Sequence, residues 1–336
     1  MTIDRFGETL DGQEVHRVRI AGGGLSASFL TYGAVLQDLR LDGHSPALVL
    51  GFEEFPPYLV HSPFFGATAG RCANRIRGGA FELDGTIYET DRNALGRHTL
   101  HGGSQSTGKR IWTLGEVTES SVEMTIVEDD GHMGFPGRLA MRAVFSLRPG
   151  GVLDIRYTAT TDAPTLCNLA HHSYFALDDS GDVLDHVLRV EAADYLPTDA
   201  DFVPTGAVLP VEGTHYDLRA GRSIRAANEG GPIDSNFCVS RERLPLRDVG
   251  RLRSPTSEVA MTIRTTEPGL QVYDAARLDV PVPGLDGRSM GPYCGLALEP
   301  QVWPDSIHYA DWPQPVLRPG DAYDQHTQFV FDKESS

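Results

Sequence analysis

The sequence lacks the features by which proteins cross a bilayer, enter the secretory pathway or build a disulfide framework. No apolar run approaches the roughly 18 to 20 residues of a membrane-spanning helix. The first ten residues, MTIDRFGETL, do not show the basic and then apolar pattern of a signal peptide. The cysteines form no CxxC pair, which disfavours both a zinc site and disulfide bonds. They stand far apart, at Cys72, Cys167, Cys238 and Cys294. We therefore predict a cytoplasmic protein with no membrane partner.

Positive charge is also scarce. The chain has 336 residues with 29 Lys and Arg against 46 Asp and Glu, which gives a net charge of −17. The longest arginine cluster, Arg71, Arg75 and Arg77, is short. Because binding to a nucleic acid depends on many basic contacts with phosphates, a nucleic-acid partner is disfavoured.

The sequence also lacks the periodicity of amphipathic helices. No segment keeps apolar residues at helical spacing over three turns with caps at both ends. Instead, short runs of alternating, β-branched or aromatic residues recur between turn residues, which is typical of strands with one buried face. The clearest runs cover residues 26–32, 122–127, 139–147, 152–158, 259–265 and 326–331.

Turn residues support this interpretation. Asp84-Gly85 separates two short alternating runs, and this dipeptide suits a tight hairpin because both positions tolerate positive φ. Residues 148–151, Arg-Pro-Gly-Gly, indicate a second hairpin. No linker, charge block or repeat divides the chain. We predict one domain over residues 1–336, an all-β fold built as a large, mostly antiparallel β-sandwich with little helix.

Polar residues crowd into four stretches beyond what strands require. These stretches cover residues 66–76, 100–103, 168–175 and 295–305. Small neighbours in the first two would let a ligand approach closely. In the last, a lone Glu299 follows an apolar run. Together they are the candidates for a functional site.

A metal site is not expected. His171 and His172 are adjacent on a predicted strand and point to opposite faces, so they cannot both line one pocket. His98 and His101 have no carboxylate or cysteine at metal spacing beside them.

Taken together, six motifs resemble the aldose 1-epimerase (galactose mutarotase) family in their order and spacing. They are GRCANRI from residue 70, LHGG from 100, HSYF from 172, DSNF from 234, PGLQVY from 268 and LEPQ from 298. The segments LGF from residue 50 and LRPG from 317 are also similar to the family, so the resemblance spans nearly the whole chain. No motif is specific alone, but six in order are.

The resemblance implies a galactose mutarotase-like β-sandwich with an open cleft for a monosaccharide. It also implies residue roles, with Glu299 as the general base and His172 as the general acid. The residues that would hold sugar hydroxyls or flank the chemistry are Asn74, Arg75, His101, Tyr174, Asp234 and Gln271.

This chemistry needs these residue types. Exchange of α and β anomers removes the proton of the O1 hydroxyl and protonates the ring oxygen, so one base and one acid suffice without a cofactor. Because the two groups exchange roles in the two directions, we expect both pKa values near working pH. Arg75 or His101 could polarise the ring oxygen or the developing carbonyl.

Two departures from the family pattern leave the preferred sugar open. The family commonly has Asn where this chain has Ala176, and an aromatic residue where it has Lys109. The oligomeric state is open too, with a monomer or a homodimer compatible with the acidic composition.

Two alternatives stay open beside a free-sugar mutarotase. One is an epimerase for a phosphorylated hexose, for which Arg71 and Arg77 are the nearby surplus cations. The other is a sugar-binding β-sandwich without catalysis, which would have no need for both His172 and Glu299. A retaining glycosidase could pair Asp234 with Glu299, but the motif order argues against it.

Overall fold

The computed structural model describes residues 1–62 and 64–333, and short strands dominate them. In chain order, the strands are β1 (Thr2–Glu8), β2 (Glu14–Gly22), β3 (Leu25–Leu30), β4 (Val35–Leu41), β5 (Ala67–Ala69), β6 (Arg75–Ile76), β7 (Ala80–Leu83), β8 (Thr86–Glu89), β9 (Thr99–Leu100), β10 (Thr113–Val117), β11 (Ser121–Glu128), β12 (Leu139–Arg148), β13 (Val152–Thr161) and β14 (Thr165–Leu166). They continue with β15 (Ala170–His172), β16 (Tyr174–Phe175), β17 (Val187–Val190), β18 (Asp194–Leu196), β19 (Leu209–Pro210), β20 (Arg222–Ser223), β21 (Asp234–Cys238), β22 (Arg247–Arg253), β23 (Val259–Thr265), β24 (Gly269–Tyr273), β25 (Leu296–Gln301), β26 (Val316–Leu317) and β27 (Tyr323–Lys333).

The helices of the described residues are short. The α-helices are α1 (Pro56–Val60) and α2 (Ile224–Ala227). The 3₁₀ segments are Arg77–Gly79, Thr107–Lys109, His132–Gly134, Asn228–Gly230, Leu285–Gly287 and Ser306–His308. Within this part of the chain, no helix has the length and apolar character needed to span a membrane.

Three larger sheets organise the strands. A four-stranded sheet has the order β1-β2-β3-β4, and a nine-stranded sheet has the order β10-β11-β12-β13-β27-β23-β22-β17-β20. A six-stranded sheet, β16-β25-β24-β21-β18-β19, carries much of the site described below. The strand pairs in these sheets are antiparallel.

Local sequence explains these strands. Along β11 and β12, buried residues alternate with more exposed ones, as an antiparallel strand with one solvated face requires. β12 and β13 pair from Leu139 opposite Thr161 to Arg148 opposite Val152, closed by a glycine-containing turn. In the hairpin between β7 and β8, Asp84 and Gly85 adopt φ of 52° and 79°. The predicted strands and both predicted hairpins are confirmed.

The main core lies between sheets that face each other. The rings of Phe29 in β3 and Phe145 in β12 have centroids 4.6 Å apart, and those of Phe175 in β16 and Phe329 in β27 are 4.7 Å apart. Face-to-face sheets of this kind confirm the mostly antiparallel β-sandwich with little helix. The single domain over residues 1–336 stays a prediction, and it includes Pro63 and residues 334–336, which lie outside the described residues.

Candidate active site

Strand register places four site residues on one face of the six-stranded sheet. Gln271 in β24 lies directly opposite Glu299 in β25. Tyr174 in β16 lies opposite Ala297, which shares a face with Glu299 because side chains two residues apart point the same way. Asp234, on β21 beyond β24, accepts a hydrogen bond of 2.8 Å from Nε2 of Gln271.

A separate strand brings His172 to the same place. β15 pairs with β5, with His172 opposite Ala67, and its ring turns toward Glu299. The distance from His172 Nε2 to Glu299 Oε1 is 3.4 Å, and both side chains are buried. His171 takes the other face, where its Nε2 and the Ser173 hydroxyl are 2.8 Å apart. The prediction that the two histidines face apart is confirmed.

The β6-β9 pair and its flanking loops supply three site residues: Arg75 is the first residue of β6, Asn74 precedes it, and His101 follows β9. Asn74 and His101 both adopt positive φ, 60° and 51°. The backbone N–H of His101 donates to the Asn74 carbonyl at 2.9 Å, and the Asn74 N–H donates to His101 Nδ1 at 3.2 Å. Because Nδ1 accepts, the neutral ring carries its proton on Nε2 and can donate a hydrogen bond.

All eight residues implied by the sequence line one cavity of about 260 Å³. They are Asn74, Arg75, His101, His172, Tyr174, Asp234, Gln271 and Glu299. The cavity also has four lining residues that the sequence did not single out. These are Phe64, Leu100, Tyr273 and Arg277.

The four additional lining residues differ in whether a sequence motif could have pointed to them. Leu100 and Tyr273 lie inside the quoted motifs, whereas Arg277 follows the PGLQVY motif by four positions and Phe64 belongs to none. The Phe64 ring lies 4.6 Å from the ring of His101 and 5.9 Å from that of His172, between centroids. Only the fold could reveal these contacts.

Burial controls protonation in the pair. It raises the pKa of Glu299 to about 8, an effect to which the nearby charge of Asp234 adds and which the charge of Arg75 opposes. It lowers the pKa of His172 to about 4. The sequence led us to expect both pKa values near working pH. The pKa of Glu299 agrees with this expectation. The expectation for His172 was wrong, because a buried imidazole loses the hydration that stabilises its charged form.

The arginines near the site have different surroundings from those expected. Arg71 is fully buried, donates through Nε to Glu128 at 2.8 Å, and donates to two backbone carbonyls in the loop after β11. Arg77 donates to Asp199 at 3.2 Å and to the carbonyl of Pro204. Neither lines the cavity. Their interpretation as cations available to a phosphorylated sugar was therefore wrong, because protein acceptors already occupy both guanidinium groups.

The two departures from the family pattern lie in different places relative to the cavity. The Lys109 ammonium lies 5.2 Å from the ring centroid of Phe64, so it reaches the wall of the cavity. Ala176 is buried in the main core and does not line the cavity. Of the two departures, only Lys109 is close to a lining side chain.

His101, His172 and Glu299 present ligand-type atoms within 4.8 Å of one another, a spacing that could hold a metal ion. His101, however, offers the cavity a donor, because the Asn74 N–H already occupies Nδ1. A metal would need a lone pair at that ring nitrogen. The trio is therefore better arranged to donate to and accept from a hydroxylated ligand.

Comparison with known proteins shows similarity across the chain. A family model described as aldose 1-epimerase matches residues 16–330. Galactose mutarotase from Rattus norvegicus is 35% identical over 336 residues, covering 97% of each chain. Aldose 1-epimerase from Escherichia coli (strain K12) is 31% identical over 341 residues, covering 96% of this chain and 97% of the relative. A crystal structure of an aldose epimerase homologue from C. elegans has a TM-score of 0.89 at 29% identity, over 95% of this chain and 99% of that one.

Proposed function

The chain belongs to the aldose 1-epimerase family, a family of isomerases, and from this premise we propose that it interconverts the α and β anomers of free aldoses, with His172 and Glu299 as its acid and base. The observation that carries this proposal is the geometry of the pair. The two groups are 3.4 Å apart, are buried, and open into a cavity of about 260 Å³. Oε2 of Glu299 has no hydrogen-bond partner among the described residues, so it is available to a sugar hydroxyl.

The reaction moves two protons without net gain or loss. The base takes the proton of the O1 hydroxyl while the acid protonates the ring oxygen, and the bond between C1 and the ring oxygen breaks. The open-chain aldehyde rotates about the bond between C1 and C2. Ring closure on the other face then returns each proton to its origin.

We infer that the pair holds one proton between pH 4 and 8. The pKa values of about 8 for Glu299 and about 4 for His172 put that proton on Glu299 in the empty site. For Glu299 to act as the base toward O1, the proton must cross to His172, which the 3.4 Å separation permits. The proposed sequence is therefore transfer to His172 on sugar binding, followed by ring opening.

Two donors would stabilise the oxygen that gains charge. The guanidinium of Arg75 donates no hydrogen bond to another described residue, and the Nε2 proton of His101 is free to point into the cavity. A hydrogen-bond donor that already points at the oxygen stabilises the negative charge that develops there in the transition state. It lowers the activation barrier because the site need not reorganise during the reaction. Asn74, Tyr174, Asp234 and Gln271 are proposed to hold the other hydroxyls.

A monosaccharide is the proposed substrate, because the cavity is small and its polar lining suits several hydroxyls. A cytoplasmic location is proposed with it. The free cysteines support this location, since thiols persist in a reducing compartment.

Polarimetry tests the proposal. Freshly dissolved α-D-glucose, α-D-galactose, α-D-xylose and L-arabinose are followed to equilibrium near neutral pH in dilute buffer, with and without the protein. We expect faster approach to an unchanged final rotation for at least one sugar. No acceleration, together with sugar binding in a calorimetric titration, would contradict catalysis and favour a binding protein instead.

A further inference from the structure

The cavity has as many basic as acidic lining residues, although the protein as a whole is strongly acidic. The charged lining residues are Arg75, Arg277, Asp234 and Glu299, while the chain has a net charge of −17. Two arginines in one small cavity are unexpected from this composition. We therefore ask which ligand they could bind.

Arg277 is held rigidly at the mouth of the cavity. It donates to Oδ2 of Asp234 at 2.6 Å, and its guanidinium carbon lies 4.1 Å from the ring centroid of Phe202 and 5.4 Å from that of Tyr273. A guanidinium has five N–H donors, so the bond to Asp234 leaves others unused. The two rings and the carboxylate restrain the guanidinium group. The arginine side chain therefore loses less conformational entropy when a ligand binds to it.

Arg75 lies on the same ring. Its guanidinium carbon is 5.4 Å from the Phe202 centroid. Within the described ranges the backbone N–H of Arg75 donates to Asn74, but its guanidinium donates to no protein acceptor. Burial lowers the pKa of Arg75, and the charge of Arg277 lowers it further. Two guanidinium groups thus share the neighbourhood of one carboxylate, Asp234.

Among the residues that line the cavity, one arginine has no carboxylate partner of its own. Asp234 balances one of the two arginines, and its Oδ1 also accepts from Gln271. Glu299, with a pKa of about 8, is mainly protonated at neutral pH and balances neither arginine. A ligand that carries one negative charge would complete the pocket.

We propose that the pocket accepts aldoses bearing a carboxylate, the hexuronic acids, and that Arg277 is the specificity-determining residue that binds this carboxylate. This inference rests on the proposed function. A planar guanidinium fork matches a carboxylate with two parallel hydrogen bonds. The half-exposed side chain of Arg277 leaves space for such a group.

Paired substrates test the proposal. Mutarotation of D-glucuronate against D-glucose, and of D-galacturonate against D-galactose, is measured by polarimetry at pH 7 and low ionic strength. We expect kcat/KM to favour each uronate at least about tenfold, which corresponds to about 1.4 kcal/mol. Added NaCl should reduce this ratio because salt screens an exposed ion pair.

Three variants test whether Arg277 causes the preference for uronates. Arg277→Gln should lower the uronate-to-neutral ratio at least about tenfold, and Arg277→Lys should restore only part of it because an ammonium lacks the fork. Arg225→Gln is the matched control. It removes the same charge from an exposed arginine that pairs with Asp185 and does not line the cavity, so the ratio should stay within about twofold.

The outcomes separate this inference from the proposed function. Acceleration of neutral aldoses with no uronate preference, or an equal preference in Arg277→Gln, overturns the inference and leaves the function intact. A larger kcat/KM for glucose 6-phosphate than for glucuronate also overturns the choice of a carboxylate. If no sugar is accelerated, the proposed function fails. Calorimetric binding of glucuronate to the wild type and to Arg277→Gln then still decides whether Arg277 binds the carboxylate.

Discussion

Two buried glutamates, Glu267 and Glu299, have similar burial but opposite surroundings. Their exposed fractions are 0% and 2%. Glu267 accepts from Nε of Arg243 at 2.8 Å and from a terminal nitrogen of the same guanidinium at 3.2 Å. In the described part of the chain Glu299 has no such guanidinium partner, and its Oε1 lies 3.4 Å from Nε2 of His172. The Glu267 carboxylate is thus held by a protein cation, whereas the Glu299 carboxylate faces a cavity that a ligand can enter.

The difference is also electrostatic. Burial raises the pKa of both glutamates, but at Glu267 the charge and hydrogen bonds of Arg243 oppose the rise, and Arg247 adds to that opposition. At Glu299 the nearest anion, Asp234, adds to the rise instead. Structure therefore assigns Glu267 to stability and makes Glu299 able to exchange a proton near neutral pH.

The sharpest test replaces each glutamate by glutamine. Glu299→Gln should lower turnover between about a hundredfold and ten-thousandfold, the usual size of an acid-base contribution, with sugar binding roughly intact. Glu267→Gln is the matched control and should keep turnover within about threefold, because Glu267 does not line the cavity. Polarimetry measures both. Near-normal turnover in Glu299→Gln would refute its role as the base.

Removing the cation should make Glu267 resemble Glu299. Arg243→Met leaves a carboxylate of 0% exposure without its cation, and we expect a loss of about 3 kcal/mol in the free energy of unfolding. Glu267→Gln should lose less, because Arg243, about a third exposed, can regain water. Urea unfolding at pH 7 compares the two variants. Equal losses would show that the ion pair does not account for the difference between the glutamates.

The shared proton predicts a bell-shaped dependence of kcat/KM on pH. Below about pH 4 both His172 and Glu299 are protonated and no base remains, while above about pH 8 both are deprotonated and no acid remains. We expect a plateau between these limits and a tenfold fall per pH unit beyond each. Polarimetry from pH 3.5 to 10, with stability checked at each pH, measures it. A single limb near pH 6.5 would contradict the shared proton.

The smallest effect concerns stability against pH. An unfolded Glu299 loses its proton near pH 4.5, whereas the folded one keeps it to about pH 8, so the folded state binds more protons in that window. The stability that this group contributes therefore falls as pH rises from 4.5 to 8. Relative to Glu299→Gln, the wild type should lose at least about 1 kcal/mol across this range in urea unfolding. Parallel pH curves would argue against the raised pKa.

The family resemblance implied the site residues, and local sequence accounts for the strands and turns that carry most of them. The motif around Asn74 and His101 contains the residues whose positive φ shapes the two loops, and the Leu298-Glu299 run encodes a strand with its carboxylate on the sheet face. The opposite directions of His171 and His172 follow from strand geometry alone.

Local sequence patterns could not tell one arginine from another, although the family resemblance singled out Arg75. Arg71 and Arg75 stand four residues apart in one motif, yet the first is bound by Glu128 beneath the loop and the second lines the cavity. Arg277 resembled any surface arginine until the fold placed it beside Asp234 and Phe202. These differences depend on partners far away in the chain, which no local pattern encodes.

The sequence by itself determined the β-sandwich and its hairpins, because alternation and turn preference are local properties. Its resemblance to a family implied the set of side chains for acid-base chemistry on a sugar. The tertiary structure alone decided which charges are neutralised. It paired Glu267 with Arg243 and left Glu299 facing His172 in a cavity. A carboxylate in water has nearly the same pKa wherever it stands, so only burial and the partners that the fold supplies could make one glutamate structural and the other reactive.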